Sequence, residues 1–169
     1  LLQIGWALMG EGRYDQSEKR LCDAELCLTS TRPDNVVVVQ EQFEQLHVRI
    51  AFVRAYNAQN RCDIASTIAH AENLIQLSHP ERDHFLRAQA RAVLAASYWA
   101  QGDLEKAHSA LIAWVAHARR TGNTFFAIAG ASGIAQILVD QGQSLEAVSV
   151  FQSTLREAET LDDGAKQIT

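Results

Sequence analysis

The stretch that decides the fold is "AQGDLEKAHSAL", Ala100–Leu111, where a glycine interrupts a run of helix-forming residues. Glycine readily takes the left-handed backbone conformation in which many helices end. Asp103, directly after Gly102, can cap a new helix because its carboxylate accepts a hydrogen bond from a backbone N–H of the first turn. Ala107 is small enough to let two helices approach closely. The stretch therefore predicts a corner between two helices.

Three further segments share this pattern: "GRYDQSEKRL" from Gly12, "NRCDIASTIA" from Asn60 and "GQSLEAVSVF" from Gly142. Successive corners are 48, 42 and 40 residues apart. A small residue follows each corner by five positions, namely Ser17, Ala65, Ala107 and Ala147. Recurrence at this period is typical of helical-repeat proteins.

The spacing predicts an all-α fold with eight helices in four hairpin units, at about 1–29, 35–78, 81–121 and 124–161. We expect helices at roughly 1–11, 13–29, 35–59, 61–78, 81–101, 103–121, 124–141 and 143–161. The segment "NVVVVQ", 35–40, has the composition of a strand. We assign it to the third helix because the following residues have helical spacing and no second strand is available for pairing.

Composition limits the function classes. The 169 residues are 47% hydrophobic and carry a net charge of −5, which disfavours a broad nucleic-acid surface. Three cysteines suggest no disulfide framework and favour the cytoplasm, and no apolar run could span a bilayer. Because the sequence begins "LLQIGW" without methionine, we expect 1–169 to be a single domain from a larger protein.

The repeats resemble the tetratricopeptide family, which has a small residue at a helix crossing, an aromatic residue three positions later, a corner glycine, an alanine and a large apolar residue. The corresponding residues are Gly5, Leu8, Gly12, Ser17 and Leu21; Ala95, Tyr98, Gly102, Ala107 and Leu111; and Ala135, Leu138, Gly142, Ala147 and Phe151, with leucine in place of the aromatic residue in the first and last of these units. The resemblance implies a right-handed superhelix of about four repeats. At roughly 40 residues, they exceed the family's usual ~34.

The long repeats, with "GWALMGEGRYDQSEKRL" and "LVDQGQSLEAVSVFQSTLREAE", also resemble the tetratricopeptide-like region of MalT-type, ATP-binding transcriptional regulators of the LuxR family. In that family the region lies between an ATPase core and a DNA-binding helix-turn-helix domain. No GxxxxGK[ST] phosphate-binding loop occurs in this sequence. The resemblance therefore implies that ATP and DNA bind other domains, and that this chain has no cofactor of its own.

Neither catalysis nor metal binding is indicated by the motifs. The sequence contains no GxSxG, HExxH or CxxC, so we expect no enzyme. His79 and His84 lie around a helix start without a nearby cysteine, and we expect a solvated loop there rather than a metal site. Cys22 and Cys27 are expected to be buried thiols.

In the tetratricopeptide fold the first helix of each hairpin lines a concave groove, which implies the position of a binding site here. The candidate groove residues are Trp6, His47, Arg54, Asn57, Gln89, Trp99, Ser132 and Gln136. The tryptophans could stack on a ring, and Arg54 could bind a carboxylate or phosphate. Alternatively, the tryptophans fill seams between hairpins and Arg54 pairs with an acidic neighbour.

The segment "TFFAIAGASGIAQ", 124–136, is almost without bulky side chains after its two phenylalanines. Two glycines inside a helix cost about 1 kcal/mol each relative to alanine, so they need a reason. Close packing against another helix is one explanation. The other is a groove floor that faces a ligand.

We therefore expect a regulatory domain that binds a small-molecule effector or a protein partner in its groove. The alternative is a generic tetratricopeptide scaffold that grips a peptide or protein and has no link to transcription. Leu1, Leu2 and Ile4 look uncapped, so the terminal repeat is expected to self-associate. We expect no direct contact with nucleic acid or membrane.

Overall fold

The computed structural model describes residues 1–29 and 40–166, and all regular secondary structure in these ranges is helical. The helices are α1 Leu2–Gly10, α2 Tyr14–Thr29, α3 Gln40–Asn60, α4 Ile64–Leu77, α5 His84–Gln101, α6 Leu104–Arg120, α7 Thr124–Asp140 and α8 Ser144–Lys166. The all-helical prediction is confirmed for this part of the chain. Residues 35–39 of "NVVVVQ" lie outside the described residues.

Five corners between helices share one backbone geometry. Their left-handed residues, with φ between 58° and 82°, are Gly12, Cys62, Gly102, Gly122 and Gly142. In each corner this residue donates its N–H to the carbonyl three positions earlier, and the next residue donates to the carbonyl five positions before itself. These two bonds satisfy carbonyls that a helix end otherwise leaves without a partner.

The second corner lies at Cys62 rather than at Asn60, which corrects the prediction from sequence. Cys62 is a non-glycine residue in a conformation that favours glycine, and asparagine is the commoner substitute there. With the corrected corner, Cys62, Gly102 and Gly142 are 40 residues apart and Gly122 lies midway between the last two. The small residue five positions on is therefore the buried Thr67, whereas Ala65 is exposed.

Small residues also lie seven positions before the corners. Counted from Gly12, Cys62, Gly102 and Gly142, they are Gly5, Ala55, Ala95 and Ala135, and all four are buried. At Gly5 an added Cβ would lie 3.1 Å from a methyl carbon of Leu21. The absence of a side chain therefore lets α1 pack closely against α2.

The chain divides into two compact units, Leu1–Ser97 and Tyr98–Thr169, and the division falls within α5. In the first unit α1 packs on α2 and α3, and α3 packs on α4. Its core contains Leu21, Ile50 and Val53. In the second unit α7 packs between α6 and α8.

The small residues of α7 serve close helix packing at Gly130. This glycine is buried, and an added Cβ would lie 2.5 Å from Cγ2 of Val115 and 3.0 Å from the Trp114 ring. Gly133 faces Leu111, whose methyl carbon would lie 3.0 Å from an added Cβ. The packing explanation of this segment therefore fits the glycines of α7.

The three cysteines are exposed and form no disulfide among the described residues, contrary to the expectation that Cys22 and Cys27 are buried. Cys22 lies beside an ion pair on the surface, 3.6 Å from a guanidinium nitrogen of Arg54. None of the helices in the described ranges combines the length and hydropathy needed to cross a membrane.

Candidate functional site

A groove of about 470 Å³ opens in the first unit between α1, α3 and the start of α5. We call it the α1–α3–α5 groove. Its apolar lining is formed by Leu2, Trp6, Phe52, Val53, Phe85 and Leu86. Its polar lining is formed by Gln3, Gln45, Arg49, Arg82 and Asp83. Apolar walls with a few polar groups are typical of a ligand-binding site, and the volume is within the usual range.

Three of the side chains that line the groove are aromatic: Trp6, Phe52 and Phe85. Trp6 stacks on Phe52 with ring centroids 5.4 Å apart and planes 7° from parallel. Phe52 in turn contacts Tyr56, with centroids 4.8 Å apart. Phe52 is buried, whereas Trp6 and Phe85 are 46% and 53% exposed. The exposed parts of these two rings can bind an apolar or aromatic group.

The charged groups of the groove differ in how they are paired. Asp83 is buried, accepts the backbone N–H of His79 at 2.8 Å and pairs with Arg82 at 3.4 Å. Burial raises the pKa of Asp83, but these hydrogen bonds lower it and the net direction is downward. Asp83 is therefore ionised at neutral pH and offsets the charge of Arg82. Within the described residues, Arg49 contacts Gln45 Oε1 at 3.5 Å and pairs with no carboxylate.

Of the sequence-predicted residues, Trp6 lines this groove and Arg54 does not. Arg54 points to α2, where its guanidinium binds Glu18 at 2.8 Å and Glu25 at 3.0 and 3.1 Å. Burial lowers the pKa of Arg54, but the hydrogen bonds with Glu25 and Glu18 raise it and the net direction is upward. Pairing with acidic neighbours, the alternative considered for Arg54, is the arrangement in the structure.

Asn57 is buried rather than presented to a ligand, which corrects its assignment to the groove. It donates to Ser17 Oγ at 3.0 Å, and Ser17 donates to the carbonyl of Gly5 at 2.7 Å. The Oδ1 atom of Asn57 has no hydrogen-bond partner among the described residues. This chain of bonds connects α3, α2 and α1.

The predicted positions on α3 were counted from Asn60, whereas the corner lies at Cys62. A shift of two residues turns the face of a helix by about 200°. Arg49, two residues after the predicted His47, does line the groove, and so does Phe52, one turn further along α3. His47 is partly buried outside the lining. The signal for the correct count was the capping residue Asp63, whose carboxylate accepts the N–H of Ser66.

Gln89 lies near the aromatic row but outside the groove lining. Its Oε1 accepts a hydrogen bond from the Tyr56 hydroxyl at 3.2 Å. Burial raises the pKa of Tyr56, so the phenol remains protonated and able to donate. Gln89 therefore orients an aromatic side chain that contacts the groove residue Phe52.

A separate polar cluster in the second unit consists of Trp99, Gln136 and Asp140. Trp99 donates its indole N–H to Asp140 Oδ2 at 3.0 Å, and Gln136 donates to Oδ1 at 3.1 Å. Ser132 instead donates to the carbonyl of Ile128, one turn earlier in α7. Both oxygens of Asp140 are thus engaged, and Trp99 remains 38% exposed.

No group of three or more His, Cys, Asp and Glu residues within 1–29 and 40–166 is arranged to hold a metal ion. Comparison with protein-family models, curated proteins and solved structures found no match. The candidate site is consequently defined by its own geometry.

Proposed function

We propose that the chain is a ligand-sensing and protein-interaction domain that binds an effector in the α1–α3–α5 groove. The observation that carries the proposal is the groove itself, which half-exposed aromatic rings line together with Arg49, whose guanidinium has no carboxylate partner among the described residues. Phe52 is buried, and Arg82 is already paired with Asp83. Both observations support a groove surface that is formed before a ligand binds.

The architecture in this proposal is a right-handed, tetratricopeptide-like superhelix. Corners of identical backbone geometry at Cys62, Gly102 and Gly142, 40 residues apart, support regular repetition. Buried small residues at matching positions support it as well.

The biological setting in the proposal is a cytoplasmic, MalT-type regulator of the LuxR family. Effector binding in the groove would favour one conformation and thereby change the self-association of an ATPase core elsewhere in the protein. The flanking coding sequence tests this setting. A phosphate-binding loop upstream and a helix-turn-helix downstream are expected, and their absence contradicts it.

Calorimetric titration with a panel of metabolites tests effector binding. We expect one class of metabolite to bind with a dissociation constant in the micromolar range. Trp6→Ala should weaken this binding at least tenfold, because the exposed ring is lost. Trp99→Ala, in the second unit, is the matched control and is expected to retain affinity. If no metabolite binds while a protein partner occupies the groove, the effector proposal is wrong.

A scaffold that grips an extended peptide is the second candidate. It is favoured by a neighbouring cavity of about 370 Å³, which shares Leu2, Gln3 and Arg49 with the groove. Two adjoining cavities suit a longer chain better than a compact effector. Selection from a peptide library distinguishes the candidates: peptides whose binding requires Leu28, in the neighbouring cavity only, support the scaffold.

We further propose that exposed apolar side chains at the first helix mediate self-association of the chain. Leu1 and Ile4 are 47% and 50% exposed. Sedimentation velocity over a concentration series is expected to show a reversible dimer that Ile4→Lys disrupts. A monomer at all concentrations contradicts this.

A further inference from the structure

Resting on the proposed function, we infer that the α1–α3–α5 groove selects a small molecule with a planar apolar body and one carboxylate, which Arg49 binds. The inference is based on one cavity that contains both exposed aromatic rings and Arg49, which has no carboxylate partner in the part of the chain that the structure describes.

Arg49 differs from the other guanidiniums of the first unit that lie near it. Arg54 is held by two glutamates, and Arg87 donates to the carbonyls of Ile75 and Ser78. Arg82 pairs with Asp83. Arg49 is exposed and, in the described part of the chain, has only the amide oxygen of Gln45 at 3.5 Å. Its donors are therefore available for a bidentate carboxylate.

The position of Arg49 on α3 directs an anion toward the rings. Phe52 and Val53 follow Arg49 by three and four residues, so the three share one face of the helix. Trp6 stacks on Phe52 from α1. A carboxylate bound by Arg49 consequently places the body of the same molecule against the exposed part of Trp6.

The local charge supports an anion rather than a cation. The ionisable lining residues are Arg49, Arg82 and Asp83, which together carry one net positive charge. The chain as a whole carries −5. A positive site in an acidic protein favours small anions, because the surrounding negative surface disfavours large polyanions such as nucleic acids. A carboxylate suits a single guanidinium with available donors, because its two oxygens can accept two parallel N–H bonds and its single charge matches the one net positive charge of the site.

The test compares 1-naphthylacetate with the neutral 1-naphthylacetamide, which has the same ring, by calorimetry on the full chain at low salt. We expect the carboxylate to bind at least about tenfold more tightly, because a charge-assisted pair replaces a neutral hydrogen bond. Arg49→Gln is expected to remove the difference between the two ligands. Arg156→Gln, an exposed arginine of the second unit, is the matched control and should preserve it.

The Trp6→Leu variant distinguishes the contribution of the aromatic ring, which both ligands use, from the preference for a carboxylate. It should weaken both ligands by a similar factor and leave their affinity ratio unchanged. Equal affinity of the two ligands overturns the inference but leaves the proposed groove intact, provided Trp6→Leu still weakens both. If neither ligand binds, the inference is wrong, and the metabolite panel alone decides the proposed function. The inference is also overturned if the Arg49→Gln variant is folded and still binds 1-naphthylacetate more tightly than 1-naphthylacetamide.

Discussion

Cys62 is the corner residue that differs from the glycine found at the other corners of the same backbone geometry. It takes φ +58° where the equivalent corners have glycine. A left-handed conformation costs a non-glycine residue roughly 1–2 kcal/mol. This cost is localised at the turn and leaves the hydrogen bonds of the corner intact.

Replacement of Cys62 by glycine should therefore stabilise the protein. Relief of the backbone strain outweighs the greater entropy of glycine in the unfolded chain, and we expect a gain of about 0.5–1 kcal/mol. Urea unfolding followed by circular dichroism measures it. Cys62→Ala retains the strain and is the control. A glycine variant less stable than the alanine variant contradicts the explanation.

Ser17 shows how a buried polar residue replaces an alanine of the repeat. Equivalent positions hold Ala107 and Ala147, so Ser17→Ala appears harmless by the repeat pattern. In the structure the change removes the only acceptor of the buried Asn57 amide among the described residues. We expect a loss of about 1–3 kcal/mol. In an Asn57→Ala background the same change should cost clearly less, and equal costs contradict the coupling.

At the scale of helices, close packing of α7 depends on Gly130. Gly130→Ala places a methyl group 2.5 Å from Cγ2 of the buried Val115, so something must move. We expect a net loss of about 1–3 kcal/mol in thermal or urea unfolding. Gly10, at the end of α1 with nothing within 4 Å of an added Cβ, is the control. Gly10→Ala should be neutral or stabilising.

His70 of α4 lies within electrostatic reach of the ion pair between Arg54 and Glu18, and its lowered pKa should make stability depend on pH. Burial lowers its pKa and so does Arg54, while Glu18 and Asp63 oppose this shift. The unfolded chain then takes up the proton at a higher pH than the folded one. Stability should be full above about pH 6.5 and fall as the pH drops below it.

The measurement is the free energy of unfolding at pH 7.5 and pH 5.5. His70→Gln should lose less stability between the two values than the parent chain, because glutamine does not titrate. An equal loss in both proteins would show that other groups cause the pH dependence.

The sequence could predict the helices because the corners carry glycine, a polar cap and a small residue at fixed offsets. The prediction of the corner after α3 failed, because the residue in the left-handed conformation is Cys62 and not a glycine. Asn60, two residues earlier, is a residue type that often ends a helix and was taken as the corner instead. The groove was only partly predictable: Trp6 was identified, whereas Arg49 and Phe52 required the correct corner. The partners of Arg54 could not be chosen from sequence, because Glu18 and Glu25 lie in another helix.

At the scale of the molecule, the unit that follows the repeat pattern closely is not the unit that contains the proposed binding groove. The second unit keeps alanine or glycine at its helix crossings and follows the repeat pattern closely. The first unit deviates from it, with Cys62 at a corner and Ser17 and Asn57 in a buried hydrogen-bond network. The α1–α3–α5 groove lies in that same unit.

The central claim is that this groove, rather than the exposed face around Trp99, binds the ligand. Indole N–H signals in ¹H–¹⁵N spectra test it directly, because Trp6 lies in the groove and Trp99 and Trp114 lie in the second unit. On titration with the metabolite that binds in calorimetry, we predict saturable shifts of the Trp6 indole and the Arg49 side chain, with Trp114 unchanged. Shifts of Trp99 with Trp6 and Arg49 unaffected would contradict the claim.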